Sequence, residues 1–235
     1  NGTSFTNASG TSDGVNYSAA STGQYRVVIS DGTLTSVSCA ISVTVNAKPV
    51  ISLTSAPAST VCAGTTVTIT AAATGDAPLE FQWNQDGVPL GGETASAINV
   101  LTGGNYSVKV TSTKGCFIES SPETITVNPV PVLVITNPVA VCNPLTIDLT
   151  SAAITVGSTL PSGTVLSYWT DNAATTALVN PGAVSTSGTY FIKAQVTGTD
   201  CFDIAAVTIT INQTPNLVIT DPSAVCTPAT VDLTT

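Results

Sequence analysis

The chain has 235 residues, 43% hydrophobic and only 8% charged, and its net charge of -9 reflects 5 basic residues against 14 acidic ones. With so few lysine and arginine residues, the chain has no basic patch for nucleic-acid binding. It contains no run of about 18 apolar residues, so the sequence predicts no membrane span. Histidine is absent, which excludes Ser-His-Asp and Cys-His catalysis. We therefore expect a non-enzymatic chain without cofactors. Because methionine is also absent, we expect an internal or processed segment.

One stretch of sequence occurs twice: residues 131–150 return as residues 215–234. The positions that are identical in the two copies are Leu133/Leu217, Val134/Val218, Ile135/Ile219, Pro138/Pro222, Val141/Val225, Cys142/Cys226, Pro144/Pro228, Asp148/Asp232 and Leu149/Leu233. A repeat outranks chain length as evidence for domain organisation, so the sequence predicts a tandem array. Abundant Thr, Ser and Val favour strands with hydroxyl-rich solvent faces, and we expect almost no helix.

Three joints divide the chain. Each is an apolar residue followed by Asn and then by Pro within three residues, at 45–49, 127–131 and 211–215. Proline fixes φ where a first strand does not need every N–H, so short, stiff joints and an extended array are expected. The predicted units are 1–46 (the C-terminal part of a repeat), 47–128 and 129–212 (complete repeats), and 213–235 (the N-terminal part of a further repeat).

A tripeptide, Gly-x-Tyr, and a dipeptide, Val-Cys, recur along the chain and indicate where strands begin. Gly-x-Tyr opens half-buried strands at 23–25, 104–106 and 188–190, and Val-Cys precedes strands expected at 66–70, 145–150 and 230–234. In repeat 47–128 alternation predicts strands at 50–54, 66–72, 80–84, 97–100, 105–111 and 121–127, with a turn at Asp86-Gly87. Repeat 129–212 follows the same plan, with a longer excursion at 151–163 before the strand 165–169. This number of short strands indicates a β-sandwich.

Cysteines recur with the strands. Each complete repeat has one cysteine before its second strand and another after its Gly-x-Tyr strand, which predicts the disulfides Cys62–Cys116 and Cys142–Cys201. Cys39 and Cys226 are taken as the second and first type, and are expected to pair outside the segment. Each bridge is expected to contribute about 4 kcal/mol, in an oxidising compartment. A zinc site is disfavoured because the chain has neither histidine nor Cys-x-x-Cys.

Aromatic residues point to one kind of sandwich. Trp83 and Trp169 lie on the third strand of their repeats and precede the Gly-x-Tyr strands. This arrangement resembles the immunoglobulin-like fold, whose core tryptophan and tyrosine corner occupy such positions. The resemblance implies that Trp83, Trp169, Tyr25, Tyr106 and Tyr190 are core residues. An exposed tryptophan acting as a sugar-stacking platform is the alternative.

The carboxylates do not form an obvious site. Asp148 and Asp232 are equivalent positions of separate repeats, not an acid/base pair. Calcium needs six to eight oxygens including several carboxylates, whereas the joints offer only asparagines, at Asn46, Asn128 and Asn212. The other local oxygen groups are Asp171 with Asn172 and Asp200 with Asp203, for which solvated loops are the expected state. No metal site is predicted.

The repeat motifs also resemble a known family. They are Pro-x-Leu-Val-Ile-Thr-x-Pro-x-Ala-Val-Cys, Tyr-Trp-Thr-Asp at 168–171, Ser-Gly-Thr-Tyr-Phe-Ile-Lys-Ala at 187–194 and Val-Thr-Ile-Thr-Ile at 207–211. They resemble the tandem repeats of giant cell-surface adhesins of Bacteroidetes, such as the SprB-type gliding-motility adhesins. The resemblance is close over 129–235 and looser over 1–128. It implies export by the type 9 secretion system and extracellular display, with outer-membrane association through other parts of the protein.

The leading functional hypothesis is therefore a stalk or spacer segment of a very long adhesin involved in surface attachment and gliding. Its expected partners are neighbouring repeats of the same chain, other cell-surface or secretion-system proteins and surface polysaccharide. One alternative is a subunit that polymerises head to tail by strand donation, with a Cys226–Cys39 bridge between copies. Another is an accessory carbohydrate-binding module of a secreted enzyme, which requires Trp83 or Trp169 to be exposed.

Overall fold

A computed structural model describes residues 10–12, 17–30 and 32–231, and the chain divides into two compact units, Asn1–Asn128 and Pro129–Thr235. The described residues are almost entirely strand and loop, with one short 3₁₀ helix, Ala152–Ile154, which confirms the all-β prediction. The finer division at 46 and 212 stays a prediction. The strands of the first unit are β1 Gly10–Ser12, β2 Tyr17–Ala19, β3 Gly23–Tyr25, β4 Val28–Ser30, β5 Thr35–Val37, β6 Ile41–Val43, β7 Val50–Ala56, β8 Thr60–Cys62, β9 Val67–Thr74, β10 Leu79–Gln85, β11 Val88–Pro89, β12 Ala97–Val100, β13 Gly104–Ser112, β14 Phe117–Glu119 and β15 Glu123–Asn128. Those of the second unit are β16 Val141–Cys142, β17 Thr164–Trp169, β18 Gly188–Val196, β19 Phe202–Ile209 and β20 Ile211–Asn212.

Residues 50–128 form a two-sheet sandwich. One sheet has the order β12-β9-β7, and the other has the order β11-β10-β13-β15-β8 with β14 also paired to β13. Alternation located the longer strands correctly, whereas the short strands β8, β11 and β14 were missed. The Asp86-Gly87 turn is confirmed, since φ is 50° at Asp86 and 80° at Gly87, as a two-residue hairpin with matching strand twist requires.

The core of this sandwich lies between the two sheets. Alternate residues of β13 point inward because side chains on a strand alternate between its faces: Tyr106, Val108 and Val110 are buried. They pack with Trp83 of β10 and Ile69 of β9. Burying each large apolar side chain contributes about 1.5–3 kcal/mol, so this layer supplies most of the stabilisation of the sandwich.

The sandwich has two ends that matter below. Its C-terminal end is where the last strand leaves at Asn128, beside Cys62, because β15 and β8 run parallel with Asn128 opposite Cys62. Its N-terminal end is where the chain enters at Pro49, beside the β13–β14 turn that carries Cys116. The Cys116 thiol contacts the Asn46 carbonyl there at 3.6 Å.

Residues 17–46 repeat part of this plan. β3 pairs with β6, with Gly23 opposite Val43 and Tyr25 opposite Ile41. In the same way β13 pairs with β15, with Gly104 opposite Ile125. β4 and β5 form a hairpin that corresponds to β13 and β14. The pairings β3–β6 and β4–β5 therefore match β13–β15 and β13–β14, and the assignment of residues 1–46 to a partial repeat stays a prediction.

The second unit has one regular three-stranded sheet, and its opposite layer is irregular. β17, β18 and β19 form an antiparallel sheet, and β16 pairs parallel with β20. The opposite layer consists of irregular segments joined by isolated bridges, Val132 to Thr159 and Ile147 to Val184. The excursion 151–163 contains the 3₁₀ helix, whose Ile154 is buried in the core.

The strand predicted at 145–150 is not formed. The Asp148 carboxylate accepts hydrogen bonds from the N–H and the hydroxyl of Thr150, at 2.8 and 2.6 Å. Such a local turn competes with ladder pairing, so only Ile147 bridges to a neighbour. The equivalent prediction at 230–234 lies partly outside the described residues, and Thr230 and Val231 form no strand.

Candidate functional site: the repeat ends and the outer sheet face

A tyrosine corner recurs at every Gly-x-Tyr. The hydroxyls of Tyr25, Tyr106 and Tyr190 donate to the backbone carbonyl four residues earlier, at 2.6, 2.9 and 3.1 Å. Tyr106 and Tyr190 are buried, as expected of core residues, and Tyr25 is half-buried. The hydroxyl ties the loop before each strand to the sheet, because a buried phenol must find a partner.

The two tryptophans differ. Trp83 is fully buried, opposite Val108, and its indole N–H donates to the Ala95 carbonyl at 2.8 Å. Trp169 is only half-buried and lies opposite Phe191. The core prediction is therefore correct for Trp83 and wrong for Trp169.

A shift of one residue explains the error. Tyr168 faces Ile192, the counterpart of Val108, and packs against the core. Because the strand period is two, the residue after Tyr168 must lie on the opposite face. Burial, and secondarily the Asp148 carboxylate, raise the pKa of the Tyr168 hydroxyl above its ordinary value. The sequence contained a signal for this: Ile192 lies two residues after Tyr190 of the Gly-x-Tyr motif, so it faces the core, and its partner on β17 is Tyr168 and not Trp169.

The face of the β17–β18–β19 sheet that carries Trp169 is the outer one. Trp169 donates to the Ser167 hydroxyl at 2.9 Å, and on the same face Lys193 places its ammonium 4.3 Å from the ring centroid of Phe202. Repeat 47–128 has the equivalent pair, Lys109 over Phe117 at 4.3 Å. These cation–π pairs cover an apolar ring at the sheet surface.

The predicted disulfide pairings are wrong. Cys62 and Cys201 are disulfide-bonded, whereas Cys39, Cys116, Cys142 and Cys226 carry free thiols. Cys116 is therefore not the partner of Cys62, and Cys142 is not the partner of Cys201.

The sheet register gives the reason for the first error. Cys62 lies beyond the Gly104 end of β13, since it pairs with Asn128 and Gly104 pairs with Ile125. Cys116 follows the other end of β13. The nine-residue strand separates the two by about 30 Å at 3.3 Å per residue, whereas bridged Cα atoms are about 4.4–6.8 Å apart.

Repeat 129–212 gives the same result. Cys142 lies opposite Asn212 at the C-terminal end, and Cys201 follows β18 at the other end, where its carbonyl accepts the Val196 N–H at 3.0 Å. β18 also has nine residues, so these cysteines are separated by about 30 Å as well.

Cys39 is not a counterpart of Cys116 either. The Ser38 N–H donates to the Val27 carbonyl, and the Ser38 hydroxyl accepts the Val27 N–H, both at 3.0 Å. Ser120 makes the same two bonds to Val108. Cys39 therefore follows the β4–β5 hairpin and does not lie in its turn. The expected pairing of Cys39 and Cys226 outside the segment stays a prediction.

The carboxylates named above act as local hydrogen-bond acceptors. Asp171 accepts from the N–H groups of Thr175 and Thr176, at 3.1 and 2.7 Å, and these bonds lower the pKa of its carboxyl. Hydrogen bonds from Thr150 likewise lower the pKa of Asp148. The described part of the chain contains no group of three or more His, Cys, Asp or Glu side chains placed to hold a metal.

Comparisons with known proteins identify the fold. No protein-family model matches, and no curated protein matches the sequence. Solved structures of immunoglobulin-domain proteins do match. The N-terminal eight Ig domains of Down Syndrome Cell Adhesion Molecule give a TM-score of 0.54 at 14% identity, over 80% of this chain and 28% of that chain. Extracellular domains 3–5 of Drosophila OTK give 0.42 at 13% identity, over 81% and 71%, and the insect immune protein hemolin gives 0.42 at 10%, over 80% and 56%.

The first of these matches shows a tandem immunoglobulin-like fold, and at this identity it shows the fold alone. The chain spans 28% of the length of that structure. Within the described residues, no helix is both long enough and apolar enough to cross a membrane.

Proposed function

We propose that this chain is a stalk or spacer segment of a very long extracellular adhesin of the SprB type, exported by the type 9 secretion system and displayed at the cell surface. The observation that supports the proposal is the recurrence of two local structural motifs along the chain. The Val-Cys turn occurs three times with the same backbone bond, from the third residue after Cys62, Cys142 and Cys226 to the cysteine carbonyl, at 3.0, 2.9 and 3.0 Å. The Gly-x-Tyr corner also occurs three times. Stacking such units lengthens a protein without requiring new chemistry.

The solvent faces support a spacer role. Exposed positions pair hydroxyls with amides: Thr68 donates to Asn99 at 2.7 Å, and Thr124 donates to Asn105 at 2.8 Å. Such neutral faces are hydrated without a strong electrostatic field, so they give little non-specific attraction. The disulfide-bonded cysteines fit an extracellular location.

The proposed partners are neighbouring repeats of the same polypeptide, other cell-surface or secretion-system proteins and surface polysaccharide. Attachment to the outer membrane is assigned to other parts of the protein, and a role in gliding belongs to the whole adhesin.

The test uses antibodies raised against residues 129–212 on intact, living cells of the source organism. Surface labelling that disappears after brief external protease treatment, while a periplasmic marker protein survives, is the expected result. Labelling that requires permeabilised cells contradicts surface display. Deleting the type 9 secretion apparatus should retain the protein inside the cell; unchanged export would remove that part of the proposal.

The half-buried Trp169 favours a second candidate, an accessory carbohydrate-binding module. Indole rings on an open sheet face can stack on sugar rings, whereas the buried Trp83 cannot. Affinity electrophoresis of the chain through gels containing surface polysaccharide tests this idea. Retardation that is lost in Trp169→Ala and kept in Val165→Ala, which changes an exposed residue of the same strand face, favours the module. Unretarded wild-type protein argues against it.

A further inference from the structure

We propose that the outer face of the β17–β18–β19 sheet binds a sparsely carboxylated polysaccharide, in which isolated uronic-acid residues stand among neutral sugars. A sugar ring stacks on the aromatic pair Trp169 and Phe191, and a carboxylate pairs with Lys193. The inference rests on the carbohydrate-binding candidate proposed above and deepens it, because it names the chemical class of the polysaccharide and assigns a residue to its charged group.

The strand register defines which side chains form this face. Tyr190, Ile192 and Val207 are buried in the core, so the residues that alternate with them point outward. The outward-facing positions are 165, 167 and 169 on β17, 189, 191, 193 and 195 on β18, and 202, 204, 206 and 208 on β19. The face is open at its edge strands, since Val165 is 60% exposed and Phe202 is 47% exposed.

An aromatic pair crosses the face between β17 and β18. Trp169 lies directly opposite Phe191, and the neighbour of Phe191 on β19 is Ala206, whose side chain is a single methyl group. The Ser167 hydroxyl accepts the indole N–H at 2.9 Å, which holds the Trp169 ring in one orientation before a ligand arrives. A ring held in this way stacks on a sugar ring with little loss of conformational entropy.

A single charge lies beside this pair. Lys193 is the one charged residue among the outward-facing positions of the three strands. Its neighbours across the sheet are Ser167 on β17 and Ile204 on β19, neither of which is a carboxylate, and its ammonium lies 4.3 Å from the ring centroid of Phe202. A cation on an apolar face is complementary to an anionic group of a ligand.

The equivalent lysine of repeat 47–128 has different surroundings. Lys109 lies opposite Glu119, and that carboxylate also accepts hydrogen bonds from Ser107 at 3.3 Å and from Asn84 at 3.5 Å. Ser107 and Asn84, which are opposite each other, occupy the places of the aromatic pair. This face therefore supplies its own carboxylate and has no stacking surface, so we assign polysaccharide binding to the second unit alone.

The spacing along β18 suits a ligand of linked sugar rings. Phe191 and Lys193 are two residues apart on one strand, so their Cα atoms are separated by about 6.8 Å. This separation is close to the length of one sugar residue. A ring stacked on the aromatic pair therefore brings the next sugar of the chain over Lys193, where its carboxylate comes within the ion-pair distance of about 4 Å.

Charge also limits the occupant. The whole chain carries 14 acidic residues against 5 basic ones, so a densely charged polyanion meets net repulsion, whereas one lysine matches one carboxylate. A second copy of the chain stacked on the same face would bury Lys193 against strands that carry no outward-facing carboxylate. An unpaired buried charge of this kind is costly, which disfavours a second copy as the occupant.

Affinity electrophoresis of the chain 1–235 tests the inference with three polymers, each compared with a gel that contains no polymer. The first is gellan, in which one sugar of each repeat is a glucuronate, and the second is gellan whose carboxylates have been reduced to hydroxymethyl groups. The third is polygalacturonate, which is densely carboxylated. Gellan should bind about two- to fivefold more tightly than its reduced form, as expected for one exposed ion pair, and more tightly than polygalacturonate.

Three lysine variants assign the effect. Lys193→Gln should weaken gellan binding about two- to fivefold and leave binding of the reduced polymer unchanged, whereas Lys193→Arg keeps the charge and should bind gellan as the wild type does. Lys109→Gln changes the equivalent lysine of the first unit, is the matched control and should have no effect.

Three outcomes would overturn the inference. Equal retardation of the wild type by gellan and by reduced gellan would leave carbohydrate binding standing without a role for the carboxylate. Retardation by none of the polymers would remove the carbohydrate-binding candidate as well. Dimerisation of the chain in sedimentation experiments that is abolished in Trp169→Ala would show that a second copy occupies the face.

Discussion

The two tryptophans provide the sharpest test of the assigned sheet faces. Replacing Trp83 by Phe removes an indole N–H that bonds to the Ala95 carbonyl at 2.8 Å and empties part of a fully buried site. The unpaired carbonyl costs about 1 kcal/mol or more, and the residual cavity adds about 1–2 kcal/mol. The expected destabilisation is therefore about 2–3 kcal/mol. Replacing Trp169 by Phe should cost less than about 0.5 kcal/mol, because its half-buried ring and its Ser167 partner both reach water.

Hydrogen exchange followed by mass spectrometry measures both changes in the intact chain. Peptides covering β13 report on Trp83→Phe, and peptides covering β18 report on Trp169→Phe. If these amides exchange through opening of the whole sandwich, 2–3 kcal/mol corresponds to about 30–150-fold faster exchange in β13. In β18 the expected change is about twofold or less. Equal acceleration by the two variants would refute the assignment of Trp83 to the core and Trp169 to the outer face.

Three further predictions concern single positions. Tyr106→Phe keeps the buried ring but loses the corner hydrogen bond, so calorimetry should show a loss of about 1 kcal/mol; an unchanged transition contradicts a stabilising corner. The Asp171 carboxylate accepts the Thr175 N–H, and this bond lowers the pKa of its carboxyl from the ordinary value of 3.8. The bond therefore stabilises the fold above the pKa of the unfolded chain, and this stabilisation is lost as pH falls through the lower pKa of the folded state. As pH falls below 3.8, the stability of the second unit should therefore decrease more steeply in wild type than in D171N, and identical titration curves would show that this hydrogen bond does not contribute to stability. Gly104→Ala should destabilise by at least about 1 kcal/mol, since φ is +151° and an added Cβ would lie 3.0 Å from a side-chain nitrogen. Gly91→Ala, which meets no atom within 4 Å, is its control; equal urea midpoints for the two variants would show that φ at position 104 is unimportant.

The sequence predicted the sandwich of residues 50–128 well because each of its long strands alternates apolar and polar residues. It failed in the second unit, where Asp148 and Thr150 form a turn that replaces a strand with the same hydrophobic pattern. Local side-chain to backbone bonds of this kind leave no mark on periodicity.

The cysteine error has a different origin. Sequence spacing places two cysteines in each repeat, and only the parallel pairing of β8 with β15 shows that Cys62 and Cys116 lie at opposite ends. The short strand β8 was not predicted, so that information was missing. The prediction placed Trp169 one residue out of register. Because side chains alternate between the two faces of a strand, an error of one residue assigns a side chain to the wrong face.

The measurement to make first is the mass of the source polypeptide on denaturing gels, with and without reductant. A stalk segment predicts a reduced band of hundreds of kilodaltons that is recognised by antibodies to residues 129–212. A reduced band near 23.5 kDa, which becomes a ladder when reductant is omitted, would contradict the stalk and favour a filament of disulfide-linked subunits.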